Sequence, residues 1–211
     1  MSNAVILGAD EIAAGRPFSN PEHTSRDADV MRAMLRHERR RARQWLSEGN
    51  GVGSGHVQRE TDSEGHRVLM VVPDTKRLGD ATDTTVVGFF GHPREHVDHV
   101  VLFQYEDELV RRMADYGAIG LLSYYDVELV KGAFGNLILF WTPDVPEQWY
   151  TDAVHRRAVE ISPSHYLEIR LHRGRIPGAL LGDGDIWIER TRYLDFGSGE
   201  TWHAVRHFDA P

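Results

Sequence analysis

The chain contains no cysteine, which excludes disulfides, thiolate metal sites and a thiol nucleophile. Basic residues are outnumbered: 24 Lys and Arg against 32 Asp and Glu give a formal net charge of -8 over 211 residues. A general nucleic-acid or anionic-membrane binder needs a basic surface, so neither partner is expected. No apolar run approaches the length of a membrane span. Ser2 to Gly15 carries Asp10 and Glu11 and lacks a basic start followed by a long apolar centre. It does not read as a secretory signal, and a cytoplasmic location is the expectation.

Periodicity is what the chain does have. Thr84 to His92 (TTVVGFFGH) is short, β-branched and aromatic, bounded by Asp83 and Pro93 as a buried strand is. From Pro93 to Tyr116 the residues Val97, Val100, Phe103, Leu109, Val110 and Met113 recur at helical steps, with Pro93 placed for a first turn and Gly117 for the stop. Ile119 to Leu129 and Asn136 to Thr142 read as strands joined by a hairpin through Lys131-Gly132-Ala133-Phe134-Gly135. Pro146 to Ile161 is again helical and is ended by Ser162-Pro163. Tyr166 to Ile176 alternates, with Leu167, Ile169 and Leu171 on one face and Tyr166, Glu168, Arg170 and His172 on the other.

The order βαββαβ is that of a ferredoxin-like unit, an antiparallel sheet with both helices on one face and the other face uncovered. The expectation is therefore an α+β fold with a ferredoxin-like core at 84–176. An N-terminal arm, helix and β-hairpin extend it at 1–83, and added strands follow at 177–211, all in one compact domain. In the extension, Thr24-Ser25-Arg26-Asp27 supplies a capping-box pattern, and Val30, Met31, Met34, Leu35, Ala42, Trp45 and Leu46 form an apolar stripe to Gly49. Arg32, Arg36, Arg39, Arg40 and Arg43 make its solvated face. Gly49 to Gly55 is a flexible connection without the Lys-Ser/Thr of a P-loop. His56 to Thr61 and His66 to Pro73 flank Asp62 to Gly65 as a hairpin, and Asp74 to Asp83 is a polar linker. Asp185 to Phe196 and Thr201 to Phe208 read as strands that extend or cover a sheet edge.

Histidine supplies the first candidate chemistry. His92, His96 and His99 are spaced so that a helix would put the last two on one face with His92 at its start, where they can bind zinc or another divalent ion. The polar row of the fourth core strand is the second candidate, with Tyr124 and Asp126, or Ser123 and Tyr125, as neighbours from the second. His172 or Glu168 would be the general base, Arg170 the electrostatic stabiliser and Tyr166 a hydrogen-bond donor. Such a set suits a cofactor-free cyclase, isomerase or monooxygenase acting on a small molecule held against the uncovered face. A wet sheet face on a non-catalytic ligand-binding or dimerisation module is the other reading.

His155, six residues after Trp149, lies on the second core helix. With these residues, the order of elements over 84–176 resembles the dimeric α+β barrel superfamily. That group includes antibiotic-biosynthesis monooxygenases, small polyketide cyclases, haem-dependent aldoxime dehydratases and haem-degrading monooxygenases. The resemblance implies a homodimer whose two sheets close face to face around a cavity, with the row from Tyr166 to His172 pointing inward. In the haem-binding branches the axial ligand is a His on a helix after the third strand, commonly preceded by a Trp. The resemblance thus implies haem as cofactor, His155 as axial ligand with Trp149 beside it, and oxidoreductase or dehydratase chemistry.

Overall fold

The computed structural model describes residues 4–49, 55–62, 65–98, 100–129, 132–197 and 199–209. The chain begins with β1 (Val5–Ile6), a 3-10 turn (Pro17–Ser19), α1 (Pro21–Ser47), β2 (His56–Thr61) and β3 (Arg67–Val72). It continues through α2 (Thr75–Asp80), β4 (Thr82–Pro93), α3 (Val100–Arg111), α4 (Met113–Ile119), β5 (Leu121–Glu128) and β6 (Phe134–Phe140). It closes with α5 (Val145–Tyr150), α6 (Ala153–His165), β7 (Tyr166–Ala179), β8 (Trp187–Asp195) and β9 (Trp202–His207). Among the described residues, all strands join one nine-stranded mixed sheet in the order β1-β9-β8-β7-β4-β6-β5-β3-β2, so the fold is α+β. Every pairing is antiparallel except β1 with β9. Among the described residues no helix is long and apolar enough to cross a membrane. Most of the glycine-rich connection, His99 and Lys131 lie outside the described residues.

Helices cover both faces of the sheet, which corrects the expected open face. The 27-residue α1 lies across it and buries Met31, Met34, Leu35, Ala42 and Trp45 with Val86, Phe90, Leu137 and Leu139 in one core. Each Met, Leu, Val or Phe among them contributes roughly 1.5–3 kcal/mol when removed from water. Gly88 sets the close approach, since a Cβ there would sit 2.6 Å from Met31 Sδ. The face over which a second copy would close is thus filled by this chain's own first helix. Nor is the arginine face of α1 simply solvated. Arg39 donates to Leu180 O and Gly184 O at 2.6 Å each, Arg43 donates to Leu181 O, and Arg32 pairs with Asp185 at 2.9 Å. Together they strap the connection between β7 and β8 to the helix.

Element boundaries depart from the sequence reading where local chemistry outweighs periodicity. Helix α1 starts at Pro21, with Asn20 accepting from the Glu22 amide, rather than at Thr24. The polar linker contains α2, capped by Asp74. Pro93 ends β4 instead of starting a helix, and the expected 93–116 helix is α3 and α4, terminated by left-handed Gly120 (φ 119°). The second core helix is two: Asp152 caps α6, which runs through Pro163 to His165. β1 carried no recognisable sequence signal.

Candidate functional site

The two sheet faces are buried unequally. Val86, Phe90, Leu137 and Leu139 are fully buried under α1, yet their neighbours Val87, Phe89, Ile138 and Leu171, central in the sheet and facing α3, α5 and α6, are only half-buried. The space above them is a cavity of about 490 Å³, within the roughly 300–1,000 Å³ range of small-molecule pockets. Phe103, Leu109, Trp149, Val159 and Phe196 complete its apolar walls. Gly91 keeps it open at β4, since a Cβ there would stand 2.5 Å from the Tyr166 ring.

One end of the cavity is polar. Register brings Asp126 of β5 opposite Leu69 of β3 on one side and Asn136 of β6 on the other. Arg67, at the start of β3, donates to Asp126 Oδ2 and to Glu106 Oε2 of α3, both at 2.8 Å. Asn136 donates to Asp126 Oδ1 at 2.5 Å and to the Tyr124 hydroxyl at 3.2 Å. Two carboxylates thus share one half-buried guanidinium. Burial, then the neighbouring Glu106, pushes Asp126 up to about 7 against the pull of Arg67 and Asn136. Burial raises Glu106 as well. An acid that titrates near neutrality can both give and take a proton. Burial raises the Tyr124 and Tyr166 hydroxyls as well, so each stays protonated and able to donate a hydrogen bond.

No protein-family model, curated protein or solved structure matches the chain. Its site is read from its own chemistry.

His155 lines the same cavity from α6, 5.6 Å from the Trp149 ring and 5.2 Å from Tyr150. Desolvation holds its imidazole down to about 4, so the ring is neutral at physiological pH. Neither ring nitrogen has a hydrogen-bond partner among the described residues. Trp149 is stacked on Tyr116 and edge-on to Phe140, and its buried indole N–H also lacks an acceptor there.

The expected row on β7 is divided. A bulge pairs His92 with Glu168 but Pro93 with Tyr166, and this turns Tyr166 to the cavity with Ile169 and Leu171. Tyr124 and Asp126 are its companions there, as one of the two expected pairings had it. Glu168, Arg170 and His172 face α1. Asp27 of α1 accepts from Arg170 Nε at 2.6 Å and from His172 Nε2 at 2.9 Å, which leaves His172 Nδ1 to accept from the Thr191 hydroxyl at 2.8 Å. Burial keeps fully enclosed His172 neutral, while hydrogen bonds from His172 and Arg170 outweigh burial and hold Asp27 below its ordinary value. Glu168 is half-buried, 3.8 Å from His92, and burial raises it. Of the expected metal trio, His99 lies outside the described residues. His92 is on β4 and His96 sits in a turn at φ 63°. Among the described residues, no group of three or more His, Asp or Glu is placed to hold a metal ion.

Arg67, Glu106 and Asn136 gave no sequence signal, because only strand register and the placing of α3 bring them together. Asp27 did leave one: it falls four residues before Met31, an acid on the apolar stripe of α1.

Proposed function

We propose that the chain binds a small, largely apolar molecule between the sheet and α3, α5 and α6, and that Asp126 exchanges a proton with it. The observation that carries this reading is the cavity of about 490 Å³ with apolar walls and a buried, Arg-bridged carboxylate pair at one end. In this cofactor-free reading Asp126 takes the proton-transfer role expected of Glu168 and His172, since His172 and Arg170 are engaged by Asp27. The strand order β7-β4-β6-β5, with helices between β4 and β5 and between β6 and β7, supports a ferredoxin-like βαββαβ unit inside the larger sheet. The neutral fluorophore N-phenyl-1-naphthylamine should brighten on binding the wild type and fail to do so with Ile138→Trp, which fills the cavity floor. Equal brightening of both proteins would place the ligand elsewhere. In a Glu38→Gln background, infrared titration should show a carboxylic-acid band lost near pH 7 and missing once Asp126→Asn is added; a band that titrates near pH 4 would remove Asp126 as acid and base.

A second reading is favoured by His155. A neutral imidazole with unpartnered nitrogens in an apolar cavity suits axial ligation of haem, which would supply iron for oxidative or dehydratase chemistry. Trp149 would flank the group, and its indole N–H would find an acceptor on a bound molecule. Stoichiometric haemin should give the wild type a sharp Soret band that shifts or vanishes in His155→Ala. A spectrum identical to free haemin would end this reading and leave the cofactor-free one standing.

A further inference from the structure

Beside the cavity, where α5 leaves the sheet face, lies a second basin of about 270 Å³ lined by Arg173, Arg190 and Arg192 together with Glu147 and Pro146. The two spaces adjoin, with Val87, Tyr150, Leu171 and Arg192 lining both. Strand register builds the cluster. Arg173 of β7 stands opposite Arg190 of β8, and Arg192 follows two residues on, opposite Leu171, so all three project from the same sheet face. In a chain with a net charge of -8, three half-buried guanidinium groups on two adjacent strands call for a counter-charge.

The protein supplies little. Arg190 has no hydrogen-bond or ion-pair partner among the described residues. Arg192 donates through Nε to His203 Nε2 at 3.2 Å, a contact that needs that nitrogen unprotonated and neutralises nothing. Arg173 donates to Pro143 O, and its carboxylate neighbour Glu147 is 3.8 Å away with a side chain 78% exposed. Burial, then repulsion from Arg173 and Arg192, lowers Arg190, a cost that a bound anion would remove. Like charges directly opposite on paired strands are destabilising, which makes a purely structural role for the cluster unsatisfactory.

We propose that this basin binds the anionic group, a carboxylate or phosphate, of an amphipathic ligand whose apolar part occupies the larger cavity. The inference rests on the cavity reading above and deepens it by naming the ligand's polar end. Arginine forks match either oxyanion bidentately, so the three residues specify the charge and not its source.

Matched probes separate this inference from the reading beneath it. The sulfonate 1-anilinonaphthalene-8-sulfonate should bind the wild type more tightly than neutral N-phenyl-1-naphthylamine. Arg173→Gln with Arg190→Gln should weaken the sulfonate by about tenfold or more and leave the neutral probe unchanged. Arg190→Lys should restore part of the loss, and raised salt should weaken only the charged probe. Displacement by dodecanoate identifies a carboxylate site and displacement by dodecyl phosphate a phosphate site, and dodecanol should compete poorly with the sulfonate. Neutral-probe binding with no sulfonate preference, or a preference that survives the double substitution, overturns the anion site and leaves the cavity intact. Loss of binding by the neutral probe itself strikes at the cavity and not at the arginines.

Discussion

Glu38 falls on the buried stripe of α1, in step with Met31, Leu35 and Ala42, and its side chain is almost fully enclosed. Ser123 Oγ and Arg39 favour its charged form, but neither carboxyl oxygen makes a hydrogen bond of good geometry. Burial therefore prevails and pushes the group up to about 7 from an ordinary 4.5. Between those values the folded chain holds a proton that the unfolded chain has released, so stability falls as pH rises through this window. The full cost, on the order of 3 kcal/mol, is reached above about 7. Urea denaturation at pH 5 and pH 8 should show wild type losing most of that amount relative to Glu38→Gln. Equal pH dependence in the two proteins would mean that Glu38 is not buried as described. At this scale the sequence was half legible: spacing gave the apolar stripe of the first helix, yet a helical wheel cannot tell that Asp27 meets Arg170 and His172 while Glu38 makes no ion pair. Those partners are more than 80 residues away in the chain.

At the scale of elements, α6 is held at its start by one side chain. Asp152 accepts from the Val154 and His155 amides at 2.9 and 3.2 Å, from the Tyr116 hydroxyl at 2.8 Å and from Arg112 at 2.8 Å. It ties α4 to α6 and fixes the turn that carries His155. Asp152→Ala should cost about 1–2 kcal/mol, and hydrogen exchange should quicken over residues 153–158 while β4 and β6 stay protected. Unchanged protection there would show that packing alone holds the turn. Strand positions were readable from alternation and β-branched runs, because a buried strand leaves that pattern wherever it sits. The bulge that turns Tyr166 away from Glu168, Arg170 and His172 was not, since one unpaired residue leaves the composition of β7 unchanged. The helix boundaries failed for a related reason: Pro93 serves equally to end an edge of β4 or to begin a helix, and tertiary pairing decided.

At the scale of the molecule, the α+β class was legible, but not the covering of both faces. Nothing in the spacing of α1 says which surface its stripe will meet. The N-terminal arm is likewise fixed from afar. Arg206 of β9, fully buried, donates to Gly8 O and Ser19 O at 3.0 Å each, to the Tyr193 hydroxyl at 2.6 Å and to Glu11 O. Phe18 packs edge-on to Tyr193 and Trp202 beneath it. Arg206→Met would strand several buried acceptors at a cost of about 1–3 kcal/mol each. Limited proteolysis should then cut residues 5–19 rapidly while the region from β3 to β6 resists; simultaneous loss of both would indicate that the arm is integral to the main core.

That anchoring also fixes an order of events during synthesis. Residues 8–19 leave the ribosome well before Arg206, the side chain that secures them. Asp27 likewise waits for Arg170, His172 and then Thr191. A growing chain therefore carries its first helix, apolar stripe and buried acid included, without most of its lasting contacts until the sheet is nearly complete. The first helix is made ahead of the strands that hold it, and it docks only once they are in place.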